Sequence, residues 1–510
     1  MTAEVLGLLL MNACLLAAGA GITRCLGAWR RPLELARILA TSLLAGIAAF
    51  GVAAQLLYVL GFSLSAPQMI VVCALLAAAG ALRFAPASPL TRTAPLTGLE
   101  WAAAALVVVP LILLGLDALY QPLASWDAWT QWTPKARALV ELDGLDSTFF
   151  ASAAYGHWHP DYPLFVPALE AFAFRFGVGV RVVHLEFWLL LAAFAGSLVE
   201  ILRPRVGPLL AWSAVLAIVW TPKIAAETVS ANADMPLAIF LVLSALTAWL
   251  WISEENTAAL GLFALFGAAA LATKLEGVIE LAIVLGVGLG VALRYSRRRA
   301  LLLAAAGAVT LVGLLPWRIW TVLTGAPTAY AASSVVDTVK SLEPNRVPIS
   351  SLLLLRQLFD PEAWLLLVPL ALCALLVAGL GLQRDRGPVS LAAATVVLLV
   401  AGIATALVIP PRSYEWRSEY WLLFLPAVVA GGAFIVGTAR ISRATAFVAI
   451  SVGGMFAALV AIYLFTPYDF AWHLGTSTSR VVLPLGLLTA AFAPIVLAAA
   501  GARDAGGDSR

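Results

Sequence analysis

The chain has 510 residues, of which 62% are hydrophobic and only 12% are charged, and its mean hydropathy is +0.97. Soluble domains carry about 45–50% apolar and about 25% charged residues, so this composition excludes a soluble protein. The 31 basic and 28 acidic residues leave a net charge of only +3, which gives no basis for nucleic acid as a partner.

Fifteen apolar runs, separated by charged or Pro/Gly-rich breaks, predict helices along the chain. They cover residues 5–27, 35–60, 67–84, 99–119, 182–202, 207–222, 234–252, 258–273, 277–293, 300–322, 363–381, 388–409, 419–438, 444–465 and 481–500. Because a hydrocarbon core about 30 Å thick needs about 20 apolar residues per helix, we predict an all-α polytopic membrane protein with about 13–15 transmembrane helices. The two shortest runs, 207–222 and 258–273, can each be re-entrant or merge with a neighbour.

The basic residues predict how these helices are threaded through the lipid bilayer. With the N-terminus outside, 18 of the 31 Lys and Arg residues fall in segments on the inner side, as the positive-inside rule requires. The outer side then carries the long segments 120–181 and 323–362, together with several shorter polar ones. Since the inner loops are short and carry no obvious chemistry, we expect function on the outer side.

The first long outer segment begins with three tryptophans around one acid. In helical form Trp126, Trp129 and Trp132 lie near one another, with Asp127 beside them. Tryptophans at this level also form the aromatic belt of an interfacial helix, which is the alternative interpretation. A carboxylate at the membrane boundary between aromatic walls gains basicity, so Asp127 is a candidate general base for a hydroxyl nucleophile.

The same segment contains a second polar group in a Pro-rich stretch, Tyr-Gly-His-Trp-His-Pro-Asp-Tyr-Pro at 155–163. His157, His159 and Asp161 are residue types that bind metal ions, but their spacing is not that of a zinc site. A rigid turn with polar caps explains the same residues. The sequence leaves both interpretations open.

Further polar and ionisable residues lie at the outer ends of the predicted helices. They are Asp117, Glu227, Asn232, Asp234, Lys274, Glu276, Glu280, Arg318, Arg412, Glu415, Arg417, Glu419, Asp469, His473 and Arg480. Ionisable groups at membrane depth are costly and usually pair with one another or line a wet cavity. Ordinary solvation and structural ion pairs are the alternative for many of them. Asp117, Glu280 and Arg318, each about a turn inside an apolar run, fit that alternative least.

Four short segments on the predicted outer side carry a family resemblance. They are Trp-Asp-Ala-Trp at 126–129 with Lys-Ala at 135–136, Asn-Ala-Asp-Met-Pro at 232–236, Thr-Lys-Leu-Glu-Gly at 273–277, and Tyr-Asp-Phe-Ala-Trp-His-Leu-Gly-Thr-Ser-Thr-Ser-Arg at 468–480. In this order they resemble bacterial GT-C glycosyltransferases, relatives of the lipid-phosphate-sugar-dependent protein mannosyltransferases and the lipid A aminoarabinose transferase. The resemblance spans roughly 99–500. It implies a GT-C-like fold in which periplasmic loops carry short amphipathic helices.

The resemblance also implies roles for individual acids. In that family an acid in the first outer loop is the catalytic base, which by position is Asp127 here. A second acid, Asp161 or Asp234 in this chain, commonly assists. Many members carry two adjacent acids in the first loop, whereas Asp127 stands alone between Trp126 and Ala128. We therefore expect neither a metal ion nor another cofactor.

The remaining site residues are predicted from charge and position. Arginine suits a phosphate, and Arg480 stands at the predicted start of the last helix, whose N-terminus favours an anion. The predicted donor phosphate-binding residues are Arg480, Arg318, Lys274, Arg412 and Arg417. The predicted sugar- or acceptor-binding residues are Trp126, Trp129, Trp132, His157, His159, Glu276 and His473.

Together these features predict an inverting glycosyltransferase that uses a polyprenyl-phosphate sugar donor. Its acceptor is a hydroxyl group on a glycan, lipid or protein, and it works at the periplasmic face of a bacterial inner membrane. The predicted enzyme module is 99–500 with the catalytic outer loop 120–181, preceded by a three-helix membrane extension (1–98) and followed by a short cytoplasmic tail (501–510).

Two other functions remain open at this point. One is a transporter or flippase for a lipid-linked glycan, and the other is an O-antigen ligase or glycan polymerase. A transporter predicts polar groups distributed through the membrane and on both sides, whereas here they gather on the outer side. The ligase shares its substrates with the favoured enzyme but takes its glycan from a lipid diphosphate.

Overall fold

A computed structural model describes residues 2–90, 95–328, 343, 345–365, 367, 371, 442–466 and 468–507. The predicted helices at 388–409 and 419–438, and most of the one at 363–381, lie outside these residues. In the described part of the chain all regular secondary structure is helical.

Twenty α-helices follow one another in the described residues. The first ten are α1 (Thr2–Cys25), α2 (Pro32–Ala36), α3 (Leu39–Val59), α4 (Ala66–Ala78), α5 (Gly98–Tyr120), α6 (Thr133–Glu141), α7 (Ser147–Phe150), α8 (Phe165–Arg175), α9 (His184–Val206) and α10 (Pro208–Val219). The others are α11 (Pro222–Val229), α12 (Asp234–Glu254), α13 (Thr257–Thr273), α14 (Glu276–Leu293), α15 (Arg297–Thr310), α16 (Leu315–Thr324), α17 (Arg346–Leu358), α18 (Pro361–Trp364), α19 (Arg443–Leu464) and α20 (Phe470–Gly507).

Nine helical stretches among the described residues are long and apolar enough to cross a membrane. They are α1, α3, α5, α9, α12, α14, α15 continued by α16, α19 and α20. Helices α10 and α11 meet at a bend of 57° and can form a tenth span, while α4 and α13 are shorter apolar helices. Every predicted helix inside the described ranges has a counterpart, so the expectation of an all-α polytopic membrane protein is confirmed.

The last helix starts earlier than the sequence predicts, at Phe470 and not at 481. Asp469 caps this start by accepting a backbone N–H at 2.8 Å. The hydroxyl-rich stretch that follows is helical, and three of its side chains satisfy their hydroxyl groups by donating to carbonyl oxygens four residues earlier, at 2.6–2.8 Å. These are Thr476, Ser477 and Thr478. Arg480 therefore lies inside a helix, and the predicted support from a helix N-terminus at Arg480 is wrong.

The bundle is built around α12, whose apolar stretch is wholly buried and packs along α13 and α20. Helices α1 and α3 approach each other closely at Gly19 and Gly46, where a Cβ atom would lie 1.7 and 1.8 Å from a backbone oxygen of the other helix. Helix α3 also packs against α8, α9 and α13. The first 60 residues therefore pack into the same bundle as the rest. Helix α5, by contrast, is mostly unburied.

The two ends of the bundle differ in their charges. At one end arginines form ion pairs with acids from neighbouring helix ends. These pairs are Arg203 with Glu100, Arg205 with Glu254 and Arg299 with Glu255. At the other end lie the segment 121–183 with its short helices, and the beginnings of α12, α14 and α20. The arginine-rich loops that the sequence assigns to one side thus meet at one end.

This separation gives a topology prediction. We expect a cysteine replacing Ser147, which is exposed on α7, to react with a membrane-impermeant thiol reagent on intact cells. A cysteine replacing Ser296, exposed before α15, should react only after permeabilisation, because it lies in the most arginine-rich loop. Both are measured as a mass shift in a background without the native cysteines. Labelling of the Ser296 variant on intact cells would contradict the orientation.

Candidate functional site

The segment that follows α5 contains a widened helical turn. Residues Ala128–Trp132 are π-helical and run directly into α6. Such turns are rare and are frequent at functional sites. Trp126 and Trp129 are exposed and contact each other edge to face, with ring centroids 5.0 Å apart, whereas Trp132 is buried. Two of the three predicted sugar-binding tryptophans therefore present their rings at the surface.

Asp127, the predicted base, is bound to Arg480, the predicted phosphate ligand. The Arg480 guanidinium donates to Oδ2 of Asp127 and forms an ion pair with it. Oδ1 of Asp127 accepts a long hydrogen bond of 3.4 Å from Nε2 of Gln131. The fold thus joins two residues that are 353 positions apart in the chain.

A second set of charges lies beside this pair, where three helices begin or end. Lys274 follows α13 and binds Asp234 in the first turn of α12 (2.9 Å) and Glu276 in the first turn of α14 (3.2 Å). Acids at helix N-termini and a cation after a C-terminus complement the helix dipoles. Arg480 interacts electrostatically with Asp234 as well as with Asp127. We call Asp127, Asp234, Lys274, Glu276 and Arg480 the ion cluster.

Two further contacts surround the ion cluster. The hydroxyl of Ser125 donates to Oδ1 of Asn232 at 2.9 Å and connects the segment that follows α5 to the start of α12. Lys223 and Glu227 form an ion pair of 2.7 Å on α11, and Glu227 interacts electrostatically with Arg480. The pair Lys223 and Glu227 therefore flanks the cluster on a helix that the sequence does not predict, because the apolar run before it ends at residue 222.

Three stacked rings form a wall next to the ion cluster. Trp132 stacks on Tyr162 with centroids 5.6 Å apart, and Tyr162 stacks on His159 at 4.8 Å. Nζ of Lys274 lies 5.9 Å from the centre of the Tyr162 ring, so the wall adjoins the cluster. We call these three rings the aromatic wall. The side chain of His157 lies outside the described part of the structure.

Lys135 on α6 supports the aromatic wall from behind. Its ammonium group donates to the carbonyl oxygen of His159 at 2.7 Å and lies 5.6 Å from the centre of the Trp132 ring. Burial lowers the pKa of Lys135 to about 7. Burial also lowers the pKa of His159, against the opposing effect of the Asp161 carboxylate. The sequence does not single out Lys135 as a site residue, and its only signal is the Lys-Ala pair at 135–136.

The two candidates for the second acid have different surroundings. Asp234 belongs to the ion cluster. Asp161 is buried, where its Oδ2 accepts a hydrogen bond from Thr328 (2.9 Å) and its carbonyl oxygen accepts one from Nε1 of Trp317 (2.9 Å). No ion pair within the described residues links Asp161 to the cluster. These contacts favour a structural turn at Asp161 and an electrostatic role for Asp234.

His473 lies on α20, two turns before Arg480. Its Nδ1 shares a hydrogen bond of 2.7 Å with Oγ1 of Thr466, and its ring lies against Tyr463 and Tyr468 with centroids 5.0 and 5.4 Å apart. His473 interacts electrostatically with Arg480 and with the lysine of the ion cluster. The last helix therefore contributes both a cation and an aromatic, hydroxyl-rich surface to this region.

The other predicted cations do not join the cluster. Arg318 is half-buried on α16, and no hydrogen bond or ion pair in the described ranges links its side chain to the ion cluster. Arg412 and Arg417 lie outside the described residues. Glu280 is buried on α14, one turn below Glu276, and interacts electrostatically with it.

An open groove of about 540 Å³ lies along α6, next to the tryptophan pair. Its lining is largely apolar and includes the rings of Trp129 and Phe149. Arg137 and Glu141, one helical turn apart on α6, add charged groups. The volume lies in the range of small-molecule sites. Trp129, which lines the groove, follows Asp127 by two positions in the chain.

These features bring a carboxylate, two cations, an aromatic wall and a groove to one end of a set of membrane helices. Within the described residues, no group of three or more His, Cys, Asp or Glu side chains is arranged to hold a metal ion. No protein-family model, curated protein or solved structure matches the chain. Function therefore has to be inferred from the ion cluster and its surroundings.

Proposed function

We propose that this protein is an inverting membrane glycosyltransferase that transfers a sugar from a polyprenyl-phosphate donor to a hydroxyl acceptor at the outer face of a bacterial inner membrane. The observation that carries the proposal is the contact between Asp127 and Arg480. A base for the acceptor and a cation for the leaving phosphate are the two groups that the reaction needs, and here they are neighbours.

The depth of Arg480 suits a phosphate on a membrane-bound lipid. The apolar part of α20 runs from Phe470 to Ala499, about 45 Å at 1.5 Å per residue, which exceeds a hydrocarbon core of about 30 Å. Residues 481–499 alone are about 28 Å long and nearly span that core. We therefore propose that residues 481–499 cross the core and that Arg480 lies close to its boundary, where the phosphate of a polyprenyl lipid resides.

The proposed reaction is a single displacement. The acceptor oxygen forms a bond to the anomeric carbon while the bond from that carbon to the phosphate oxygen breaks. The hydroxyl proton passes to the carboxylate of Asp127, and the bonding electrons leave with the phosphate. Arg480 stabilises that developing charge, because its permanent charge and planar donors match phosphate oxygens.

The charge balance of the ion cluster favours a donor with one phosphate. The cluster contains two cations, Arg480 and Lys274, and three carboxylates, and Lys274 is bound by two of these acids. One phosphodiester charge can pair with Arg480, whereas among the described residues of the cluster no further cation is left for the additional charge of a lipid diphosphate. This supports a lipid monophosphate donor over the diphosphate of a ligase or polymerase.

The positions of charged residues favour an enzyme over a transporter or flippase. In the described membrane-length helices, acids such as Glu186, Glu200 and Glu280 lie within about two turns of a helix end. Arg480 is deeper, but on a helix longer than the bilayer core. A transport path predicts ionisable groups near the midplane. The charges here gather at the ends.

The proposal is tested by mass spectrometry of cell-envelope glycans from cells with and without the gene. Loss of one defined sugar in the deletion strain, restored by the wild-type gene, is the expected result and identifies both sugar and acceptor. Transfer is then reconstituted with the purified protein, that acceptor and the polyprenyl-phosphate sugar. An unchanged glycan profile together with no transfer by the purified protein would exclude the proposal.

We propose that the acceptor approaches along the groove on α6. Val180→Trp, which fills the groove from its side, is expected to weaken acceptor binding by about tenfold and to leave donor binding unchanged. Leu60→Trp is the matched control, because Leu60 is exposed and is not part of the groove lining. Apparent affinities for both substrates are measured with the reconstituted enzyme. Equal acceptor affinity in the two variants would exclude this route.

We further propose that the reaction needs no metal ion, since the carboxylates of the ion cluster already have cationic partners. Asp127 is bound by Arg480, while Asp234 and Glu276 are bound by Lys274. Transfer is therefore expected to continue at an unchanged rate in excess EDTA. Reversible loss of activity, restored by a single divalent ion, would overturn this prediction.

A further inference from the structure

The ion pair between Asp127 and Arg480 joins two groups that the proposed reaction uses separately. A general base must offer a lone pair to the acceptor hydroxyl, and the leaving phosphate needs the donors of the guanidinium. In the structure Oδ2 of Asp127 occupies a donor of Arg480. The Asp127 carboxylate thus occupies the guanidinium group to which the phosphate is proposed to bind.

Of the ion pairs in the cluster, this one is the easiest to exchange. The side chains of Arg480 and Asp127 are 26% and 15% exposed, whereas those of Lys274 and Asp234 are 6% and 5% exposed. Separating a buried pair leaves charges without solvent or partner and is strongly unfavourable, while a partly exposed pair is worth much less. Lys274 also retains a second acid, Glu276. An incoming anion is therefore expected at Arg480.

A phosphate diester can replace the carboxylate with a gain in contacts. The Arg480 guanidinium makes one hydrogen bond to Asp127, through a single terminal nitrogen. A phosphate offers two non-bridging oxygens that match two parallel donors of an arginine. The exchange also preserves charge, because one singly charged anion takes the place of another next to Asp234 and Glu227, whose electrostatic interactions with Arg480 remain.

We propose that the phosphate of the lipid donor displaces Asp127 from Arg480, and that this exchange releases the carboxylate to act as the base. The inference rests on the proposed function and adds to it the order in which the two substrates bind. Asp127 becomes available to the acceptor only after the donor has bound.

The test is a binding measurement with farnesyl phosphate, a short polyprenyl phosphate that carries no sugar, on the purified full-length protein in detergent. If Asp127 competes for Arg480, Asp127→Asn removes the competitor and binds farnesyl phosphate more tightly than the wild type. We expect a gain of roughly tenfold, the size of one charged hydrogen bond. Asp127→Ser is expected to show the same gain, which guards against an effect of the asparagine itself.

Three controls separate the exchange from other effects. Farnesol, which lacks the phosphate, should bind wild type and Asp127→Asn equally. Asp143→Asn removes another acid that pairs with an arginine, Arg175, and should bind farnesyl phosphate like the wild type. In the double variant Asp127→Asn/Arg480→Ala the gain should vanish, because the two substitutions act on one interaction.

The outcomes distinguish this inference from the proposed function. Binding of farnesyl phosphate to the wild type with no gain in either Asp127 variant overturns the exchange and leaves the glycosyltransferase proposal intact. A gain that farnesol shares, or that persists in the double variant, overturns the exchange as well. No binding to the wild type or to any variant overturns both, since a polyprenyl phosphate is the product of the proposed reaction.

Discussion

Replacing Asp127 with asparagine is expected to lower the rate of sugar transfer by about 10²–10⁴-fold, the contribution typical of a general base. Asparagine keeps the size of the side chain but cannot accept the proton of the acceptor hydroxyl. Turnover is measured with purified polyprenyl-phosphate sugar and the identified acceptor. Donor binding should persist in this variant, because Arg480 remains in place.

Asp143→Asn is the control for this prediction. Asp143 lies in the same outer segment and pairs with Arg175 at 2.7 Å, but its side chain is 71% exposed. The control therefore loses an Asp–Arg ion pair, as Asp127→Asn does, and should transfer sugar at the wild-type rate. Thermal unfolding of both variants in detergent shows whether either has lost its fold. If Asp127→Asn transferred sugar at half of the wild-type rate, Asp127 would not be the general base, and Asp234 would be the next candidate.

Replacing Arg480 with alanine is expected to slow transfer by roughly 10²–10³-fold and to weaken donor binding, because the departing phosphate loses its charged donor. Arg480→Lys should retain part of both properties, since lysine keeps the charge but lacks the planar pair of donors. Turnover and apparent donor affinity are determined for each variant. The graded order of wild type, lysine and alanine distinguishes phosphate binding from a merely structural contact.

Arg175→Ala is the matched control for the arginine substitution. Arg175 pairs with an exposed acid at the same end of the bundle and takes no part in the ion cluster. We expect wild-type turnover and donor affinity in this variant. If Arg480→Ala had wild-type values for both quantities, Arg480 would not be a ligand of the phosphate.

The helices and their order could be predicted from the sequence because membrane insertion depends on local hydropathy. A run of about 20 apolar residues has only one stable arrangement in hydrocarbon, a helix that satisfies its own backbone groups. The start of α20 is the exception. Hydropathy predicts that this helix starts after the hydroxyl residues before Arg480, whereas the helix starts at Phe470, where Asp469 caps it, and the hydroxyls bond to carbonyl oxygens of the preceding turn.

The sequence also identified several members of the ion cluster as candidates. Asp127, Asp234, Lys274 and Arg480 stand out because charges near a membrane boundary are costly and need partners. The same reasoning named Arg318, which no contact in the described residues links to the cluster, and it gave no reason to choose between Asp161 and Asp234. The free-energy cost of a charge near the membrane boundary indicates that the charge has a partner, but it does not identify that partner.

Local hydropathy is sufficient to predict a helical membrane protein whose polar residues gather at the ends of helices. Which of those residues meet follows from the packing of the helices, which brings Asp127 to Arg480 and Asp234 to Lys274. The packing also places Lys135 behind the aromatic wall, a position that the sequence does not indicate. The hydropathy of a segment depends on residues that are adjacent in the sequence, whereas these contacts join segments up to 353 positions apart. Such contacts depend on how the whole bundle packs.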